Sequence, residues 1–368
     1  MSKKILIVSR SFFPLITPRS FRTTELAKEF SRQGHDVTVI VPIEGFDYEE
    51  FKERNNIKIK NLGKLHSWEQ DVRGSGIKNT IIKLYRAVFI LLFDYPSIHL
   101  SYLVRNALKN ESEYDLLISI AAPHSIHWGV ASIRTSKNKI ANTWIADCGD
   151  PYIGASTSRY PRFFYFKYVE KWFCSKADYI TVPFEQAKNA YYKEFRNKIR
   201  VIPQGYSNTN IQLYKGRIDN KVPTFAYAGT FLRNVRDPKN FLEYLIKADR
   251  EFMFHVYTNK KQFLEKYIEK LGDKIKIHDK LPRETLLYEL SKMDFLVNFE
   301  NNSMVQKPSK LVDYAFTGRP ILNIDPNNIK QKEIEQFFNK NYAGQVVIDD
   351  LEQYDVSSIA KNFIALSE

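Results

Sequence analysis

Short β-branched runs alternate with longer stretches of helical period along almost the whole chain, which is the pattern of βαβ units building a parallel sheet. In the first half the runs Lys4 to Ser9, Asp36 to Val41, Leu116 to Ile120, Thr143 to Ala146, Tyr179 to Val182 and Ile199 to Ile202 read as strands. Helices are expected at Ser20 to Gln33, with Phe21, Leu26 and Phe30 facing inward and Gly34 ending the helix, and near residues 80–110, 125–135, 160–176 and 184–195. After a polar stretch, Ser207 to Lys221, the series starts again. Strands are expected at Thr224 to Ala228, Phe252 to Tyr257, Ile275 to Ile277, Phe295 to Asn298 and Pro320 to Asn323, with helices at 238–248, 260–271, 283–292 and 308–317. At 368 residues the chain exceeds what one core usually supports. The expected fold is therefore α/β: two Rossmann-like doubly wound domains facing a central crevice, over residues 1–206 and 207–350, with 351–368 forming a helix that packs back on the first domain.

Composition removes several classes. Two cysteines, Cys148 and Cys174, lack the spacing of a disulfide framework or zinc knuckle, and a reducing cytoplasm suits them. The longest apolar run, Ala87 to Phe93, is seven residues, against the ~18 that suggest a bilayer span. The start of the chain has too short an apolar run for a signal peptide. Neither first turn, Ser9 to Pro14 or Gly229 to Arg233, carries the glycine fingerprint of dinucleotide enzymes, and no Walker lysine motif occurs. What remains after each first strand is a loop that opens a helix, where backbone N–H groups can hold an anion.

The net charge of +13 is unevenly placed: residues 1–205 hold 31 Lys and Arg against 20 Asp and Glu, and residues 206–368 hold 24 against 22. Between Tyr160 and Phe173 there are eight aromatics in fourteen residues with Arg162, Lys167 and Lys171 among them, and Ile81 to Phe93 is strongly apolar beside Lys78, Lys83 and Arg86. Such segments suit the interface of an anionic membrane, or else are buried helices with snorkelling lysines. Nucleic acid is the other partner a basic chain could take, but no RNA-binding motif occurs, and none is expected to bind.

Several segments together resemble glycosyltransferase family 4, nucleotide-sugar enzymes of the GT-B fold. They are Lys4 to Pro14, Pro18-Arg19, Leu26-Ala27, Gly34 to Val39, Ala122 to His127, Trp144 to Pro151, Ala177 to Val182, Val201 to Gly205, Tyr227 to Thr230, Arg236 to Pro238, Pro308 to Tyr314 and Gly318 to Pro320. The resemblance implies a retaining transfer of a sugar from a nucleoside diphosphate, with no cofactor and no obligatory metal. It places donor diphosphate contacts at Gly229, Thr230, Arg236 and Lys310. Cations there would stabilise charge developing on the leaving diphosphate. Arg233 and Lys239 are further basic residues nearby.

Asp313, one helical turn after Lys310, stands where the family has the Glu that meets ribose. The family's first Glu is replaced by Val305, which leaves Glu300 and Gln306 as candidates for touching the donor sugar. On the acceptor side the resemblance points to His124 or His127 without choosing between them, a core or capping histidine being the alternative for each. Asp150 is a base or acceptor-orienting candidate, or else a turn-forming Asp-Pro. Relatives often read Asp-Phe-Arg-Asp-Pro, where this chain has Cys148-Gly149 in place of Phe-Arg. Arg19 and Arg22 would hold acceptor phosphate, or pair with acids such as Glu25.

The expected enzyme transfers a sugar to a glycan acceptor, one linked to a polyprenyl diphosphate, in bacterial-type surface polysaccharide synthesis. It would work in the cytoplasm, peripherally at the inner face of an anionic membrane. A nucleotide-sugar epimerase of the same fold is the alternative.

Overall fold

A computed structural model describes residues 1–65, 76–135, 138–149, 151–153, 162–206, 211–300 and 310–368. The chain divides into two compact units, residues 1–206 with 354–368, and residues 207–353. In the first, strands β1 (Lys4–Ser9), β2 (Asp36–Val41), β3 (Lys58–Asn61), β4 (Tyr114–Ile120), β5 (Ala141–Asp147), β6 (Tyr179–Val182) and β7 (Ile199–Val201) form one parallel sheet in the order β3-β2-β1-β4-β5-β6-β7. Helices α1 (Pro18–Arg32), α2 (Glu49–Asn55), α3 (Ile77–Phe93), α4 (His99–Ala107), α5 (Ser125–Ile133) and α6 (Phe166–Lys176) connect them.

The second unit repeats the plan with β8 (Thr224–Ala228), β9 (Met253–Tyr257), β10 (Ile275–His278), β11 (Phe295–Phe299) and β12 (Ile321–Ile324), all parallel, in the order β10-β9-β8-β11-β12. Its helices are α7 (Lys239–Lys247), α8 (Glu265–Leu271), α9 (Arg283–Leu290), α10 (Lys310–Phe316) and α11 (Gln331–Phe338). A last helix, α12 (Val356–Ala365), closes the chain.

Period-two geometry explains why the strands read as continuous apolar runs. Ile5 and Ile7 enter one core, Leu6 and Val8 another on the opposite face, so both faces of the first sheet are covered. The second sheet behaves alike, with Phe225 and Tyr227 on one side and Ala226 and Ala228 on the other. In each sheet the strand order reverses between the first strand and its later neighbour, β1/β4 and β8/β11. The carboxyl ends of those pairs are where open α/β sheets bind ligands. Helix α12 belongs to the first unit: its Ile359, Ala360 and Phe363 join the core of Ile5 and Ile7, and Asp355 caps it by accepting from the Ser357 N–H at 2.8 Å.

Four expectations need correction. The helix near 80–110 is two helices, α3 and α4, because Asp94 takes the left-handed conformation (φ 50°) and Pro96 follows it. The segment 184–195 forms 3-10 turns, Glu185–Ala190 and Lys193–Lys198. Phe21 is 48% exposed, while Leu26 and Phe30 are buried. The strand β3 and the helices α2 and α11 were not foreseen. β3 is an edge strand with one buried side chain, Ile59, so it carries no apolar run.

Candidate functional site

The residues expected on the donor side come together at the end of β8. Tyr314 and Lys310 lie four residues apart, on one face of α10. The Tyr314 hydroxyl accepts from the Ala228 N–H at 2.8 Å and donates to the Ala228 carbonyl at 3.2 Å, which fixes α10 against the strand end. Lys310 is thereby brought over Gly229: a Cβ there would lie 3.1 Å from the Lys310 Nζ and 2.9 Å from the Tyr227 Oη, so glycine permits the approach.

The Lys310 ammonium is buried, with no hydrogen-bond partner among the described residues, and sits 4.1 Å from the centroid of the Tyr227 ring. Its stem remains partly accessible. Burial, and then the charge of Arg236, push its pKa well below the ordinary lysine value. Arg236 is held by a turn in which its N–H donates to the Leu232 carbonyl at 2.9 Å, and its buried Nε also lacks a partner among the described residues. Two neighbouring cations with unsatisfied donors are the arrangement that can cradle an anion. Thr230 lines the same loop, donating its hydroxyl to Asn259 Oδ1 at 3.2 Å. Arg233 and Lys239 are exposed.

Asp313 faces Arg283, at the start of α9, which donates to its Oδ1 from Nε at 2.8 Å and forms an ion pair with it, Nη2 lying 2.8 Å from the same oxygen. Burial raises the Asp313 pKa against the opposing pull of Arg283. Glu300 is exposed and accepts a hydrogen bond from Asn323. Gln306 and Ser309 lie outside the described residues.

The corresponding end of the first sheet is organised by Asp147. Its carboxylate accepts from Arg22 (Nη2 to Oδ1 2.9 Å, Nε to Oδ2 3.2 Å) and from Thr181 Oγ1 at 2.7 Å, with Arg19 Nη1 farther off at 3.4 Å. Burial would raise its pKa, but Arg22, then Arg19, overcome that and hold it below the usual carboxylate value. Arg22 is 3% exposed, also donates to the Pro203 carbonyl at 2.6 Å, and lies 5.1 Å from the Phe363 ring centroid. This corrects the expectation that Arg22 holds acceptor phosphate: its donors are used inside the protein, joining α1, β5, the end of β7 and α12.

Arg19 is different. Its side chain is 23% exposed, and a Cβ at Gly149 would lie 1.4 Å from its Nη2. The guanidinium fills the space that any side chain at position 149 would need. Gly149 thus admits a cation from α1.

His127 and His124 separate by burial and bonding. His127 is fully buried, with Nδ1 2.8 Å from Ser119 Oγ and Nε2 3.3 Å from Cys148 Sγ, and Trp144 Nε1 donates to the same Ser119 hydroxyl at 2.8 Å. Burial first, then His124, hold its pKa well below the ordinary histidine value. Engaged at both ring nitrogens, it takes the core position that was the alternative for it. His124 sits one turn earlier, at the mouth of α5, with the Tyr152 ring 5.3 Å from its own.

The ligand atoms of His124, His127 and Cys148 lie within 4.8 Å of one another. Within this trio His127 and Cys148 are hydrogen-bonded and His124 meets His127 ring to ring, their centroids 5.6 Å apart.

Asp150 lies outside the described residues, but the backbone just after it is held firmly. The Tyr152 N–H donates to Glu170 Oε1 at 3.1 Å, and the Arg162 guanidinium lies 4.4 Å from the Tyr152 ring centroid. Burial pushes the Glu170 pKa up to about 7. Arg283, Tyr152 and Glu170 escaped sequence reading, and Tyr227 and Tyr314, though inside segments that carry the resemblance, were given no role. Only Tyr314 left a signal, its spacing of four from Lys310.

Parallel sheets in two Rossmann-like units, each with its polar residues at a switch point, define a GT-B architecture. The family model for Glycosyltransferase Family 4 matches residues 21–208, more than half of the chain, and the protein belongs to that family. No curated protein sequence matches it. Among solved structures, TarM aligns at 11% identity over 100% of this chain and 99% of its own, with a TM-score of 0.63. HepE of Anabaena, in complex with UDP, aligns at 12% identity over 98% of each chain, TM-score 0.62. The lipopolysaccharide outer core galactosyltransferase WaaB aligns at 13% identity over 99% of this chain and 98% of its own, TM-score 0.54. At these identities the likeness is one of fold.

Proposed function

We propose that this glycosyltransferase takes its sugar from a nucleoside diphosphate held by the second unit and delivers it to a lipid-linked glycan bound by the first, in surface polysaccharide synthesis. The observation that carries the donor half is the buried Lys310 ammonium beside Arg236, both with unsatisfied donors at the β8/β11 switch point. A pyrophosphate supplies the acceptors they lack. Its two cations stabilise the negative charge that builds on the leaving phosphate, a task a divalent metal performs elsewhere. No metal is required in this scheme. Asp313, oriented by Arg283, accepts from the ribose hydroxyls, and Glu300 and Gln306 are assigned to the sugar.

In the first unit His124, Arg19 and Asp150 are assigned to the acceptor, with Asp147 and Glu170 as positioning residues. Retention of configuration follows from the family resemblance, with the departing phosphate taking the acceptor proton. The scheme places the enzyme at the inner, anionic face of a membrane. Three related folds support a nucleotide donor: HepE was captured with UDP, starch synthase IV of Arabidopsis thaliana with ADP and acarbose, and a TarM mutant from S. aureus with UDP, fondaparinux and α-GlcNAc-glycerol.

A thermal-shift panel of nucleoside diphosphates and their sugars tests the donor, because a ligand of the native state raises the melting temperature. The active nucleotide sugar should then release nucleoside diphosphate only when a lipid-linked glycan is added. Interconversion of the sugar without acceptor would mean an epimerase instead.

A further inference from the structure

Helix α3 is apolar on nearly every side, yet none of its seventeen residues is buried. Helices of that composition are normally found inside a core or against another apolar phase. Ile77, Ile81, Leu84, Tyr85 and Val88 are between 41% and 83% exposed. Their spacing of four, three, one and three residues puts them on one face. The helix has three cations, Lys78, Lys83 and Arg86, and no acid. No helix among the described residues is long and apolar enough to cross a membrane. An apolar stripe of this length with cations and no anions fits the headgroup boundary of an anionic bilayer, lying in its plane.

A second observation links this helix to the acceptor residues. Asp94, which ends α3, is buried and receives Arg162 Nη1 at 2.6 Å. Arg162 lies over the Tyr152 ring, which in turn packs against His124. The end of α3 is therefore three contacts from the histidine assigned to the acceptor.

We propose that α3 is the membrane-docking element, immersing Ile77, Ile81, Leu84, Tyr85 and Val88 among anionic lipids, and that Asp94 and Arg162 fix the acceptor residues at a set place relative to the bilayer. The docking claim concerns this helix and the lipid surface; its purpose rests on the reading that the acceptor is lipid-linked.

Flotation of the full-length protein with phosphatidylglycerol-containing vesicles, without donor or acceptor, tests docking separately from transfer. Wild type should float with them, bind phosphatidylcholine vesicles far less, and detach as salt is raised. Leu84→Glu with Val88→Glu should weaken binding roughly 100-fold. Lys78→Glu should weaken it roughly fivefold or more. Both variants alter exposed positions, so their melting temperatures should match wild type, and a nucleotide found to stabilise wild type should still do so.

Equal flotation of wild type and the double variant would overturn the proposal, as would failure of wild type to bind anionic vesicles. So would a wild-type dimer that the double variant dissociates in sedimentation, which would assign the stripe to a second copy of the chain. Failure of transfer with vesicle binding intact would count against the lipid-linked acceptor and not against α3.

Discussion

Arg22, at the carboxyl end of the first sheet, gives Nε and Nη2 to Asp147 and Nη1 to the Pro203 carbonyl, whereas Lys310, at the same end of the second, meets the ring of Tyr227 and the like charge of Arg236. Both charged heads are out of water, so both carry a desolvation cost. In the first unit the cost is offset within the fold. In the second it is left standing among the described residues, and an anionic ligand is what would offset it. Burial alone therefore does not single out a candidate binding residue; a buried charged head without a partner is what distinguishes Lys310 from Arg22. The surfaces differ as well. Among the described residues, seventeen of the large apolar side chains that are exposed belong to the first unit and five to the second, and the first half holds most of the excess positive charge. In the proposed scheme the first unit meets an apolar, anionic phase and the second a soluble anion.

The largest expected effect follows from that contrast. Arg22→Met leaves Asp147 buried without its main partner and should cost about 3 to 5 kcal/mol in chemical denaturation. Lys310→Met removes an unpaired buried charge, so it should leave the unliganded protein as stable as wild type or more so. Equal losses in the two variants would erase the distinction.

Next comes pH. The Glu170 pKa is raised from its ordinary value of 4.5 to about 7, so its protonated form is favoured in the folded state. Its contribution is fully present below the unfolded pKa and is lost as pH rises through about 7, on the order of 3 kcal/mol in all. Glu170→Gln retains an acceptor for the Tyr152 N–H and should remove that part of the pH dependence from melting curves. A wild-type profile no steeper than that of the variant would contradict the assignment.

Lys310→Met should weaken binding of the preferred nucleoside diphosphate roughly 10- to 100-fold, the worth of a charge-assisted hydrogen bond. Smallest is Gly149→Ala. The new methyl group collides with Arg19, so this variant should lose about 1 kcal/mol of stability and slow transfer to the acceptor, with nucleotide affinity unchanged. If acceptor turnover is untouched, Arg19 has no part in it.

Much of the fold could be read because both sheets are covered on two faces, which writes strands such as β1 and β11 as unbroken apolar runs. Segments without that cover were invisible, β3 among them. The placement of Gly229, Lys310 and Asp313 was legible for a similar reason, since they fall at strand and helix ends whose spacing is local; the donor role given to them is the proposed one. The roles of Arg22 and Arg19 were not, because they depend on Asp147 and Gly149, more than a hundred residues away. Nothing in a linear pattern separates an arginine buried against a carboxylate from one that fills the gap over a glycine. His124 and His127 posed the same difficulty, decided by Ser119, Cys148 and Tyr152.

The cradle around Lys310 is tested most directly by calorimetric titration of the preferred nucleoside diphosphate at mildly alkaline pH, in buffers of different ionisation enthalpy. Because the Lys310 pKa is well below the lysine norm when the cradle is empty, an incoming diphosphate should raise it. Wild type should then take up a proton on binding, and Lys310→Met should bind more weakly with that uptake gone. Unchanged affinity and unchanged proton uptake in Lys310→Met would contradict the account.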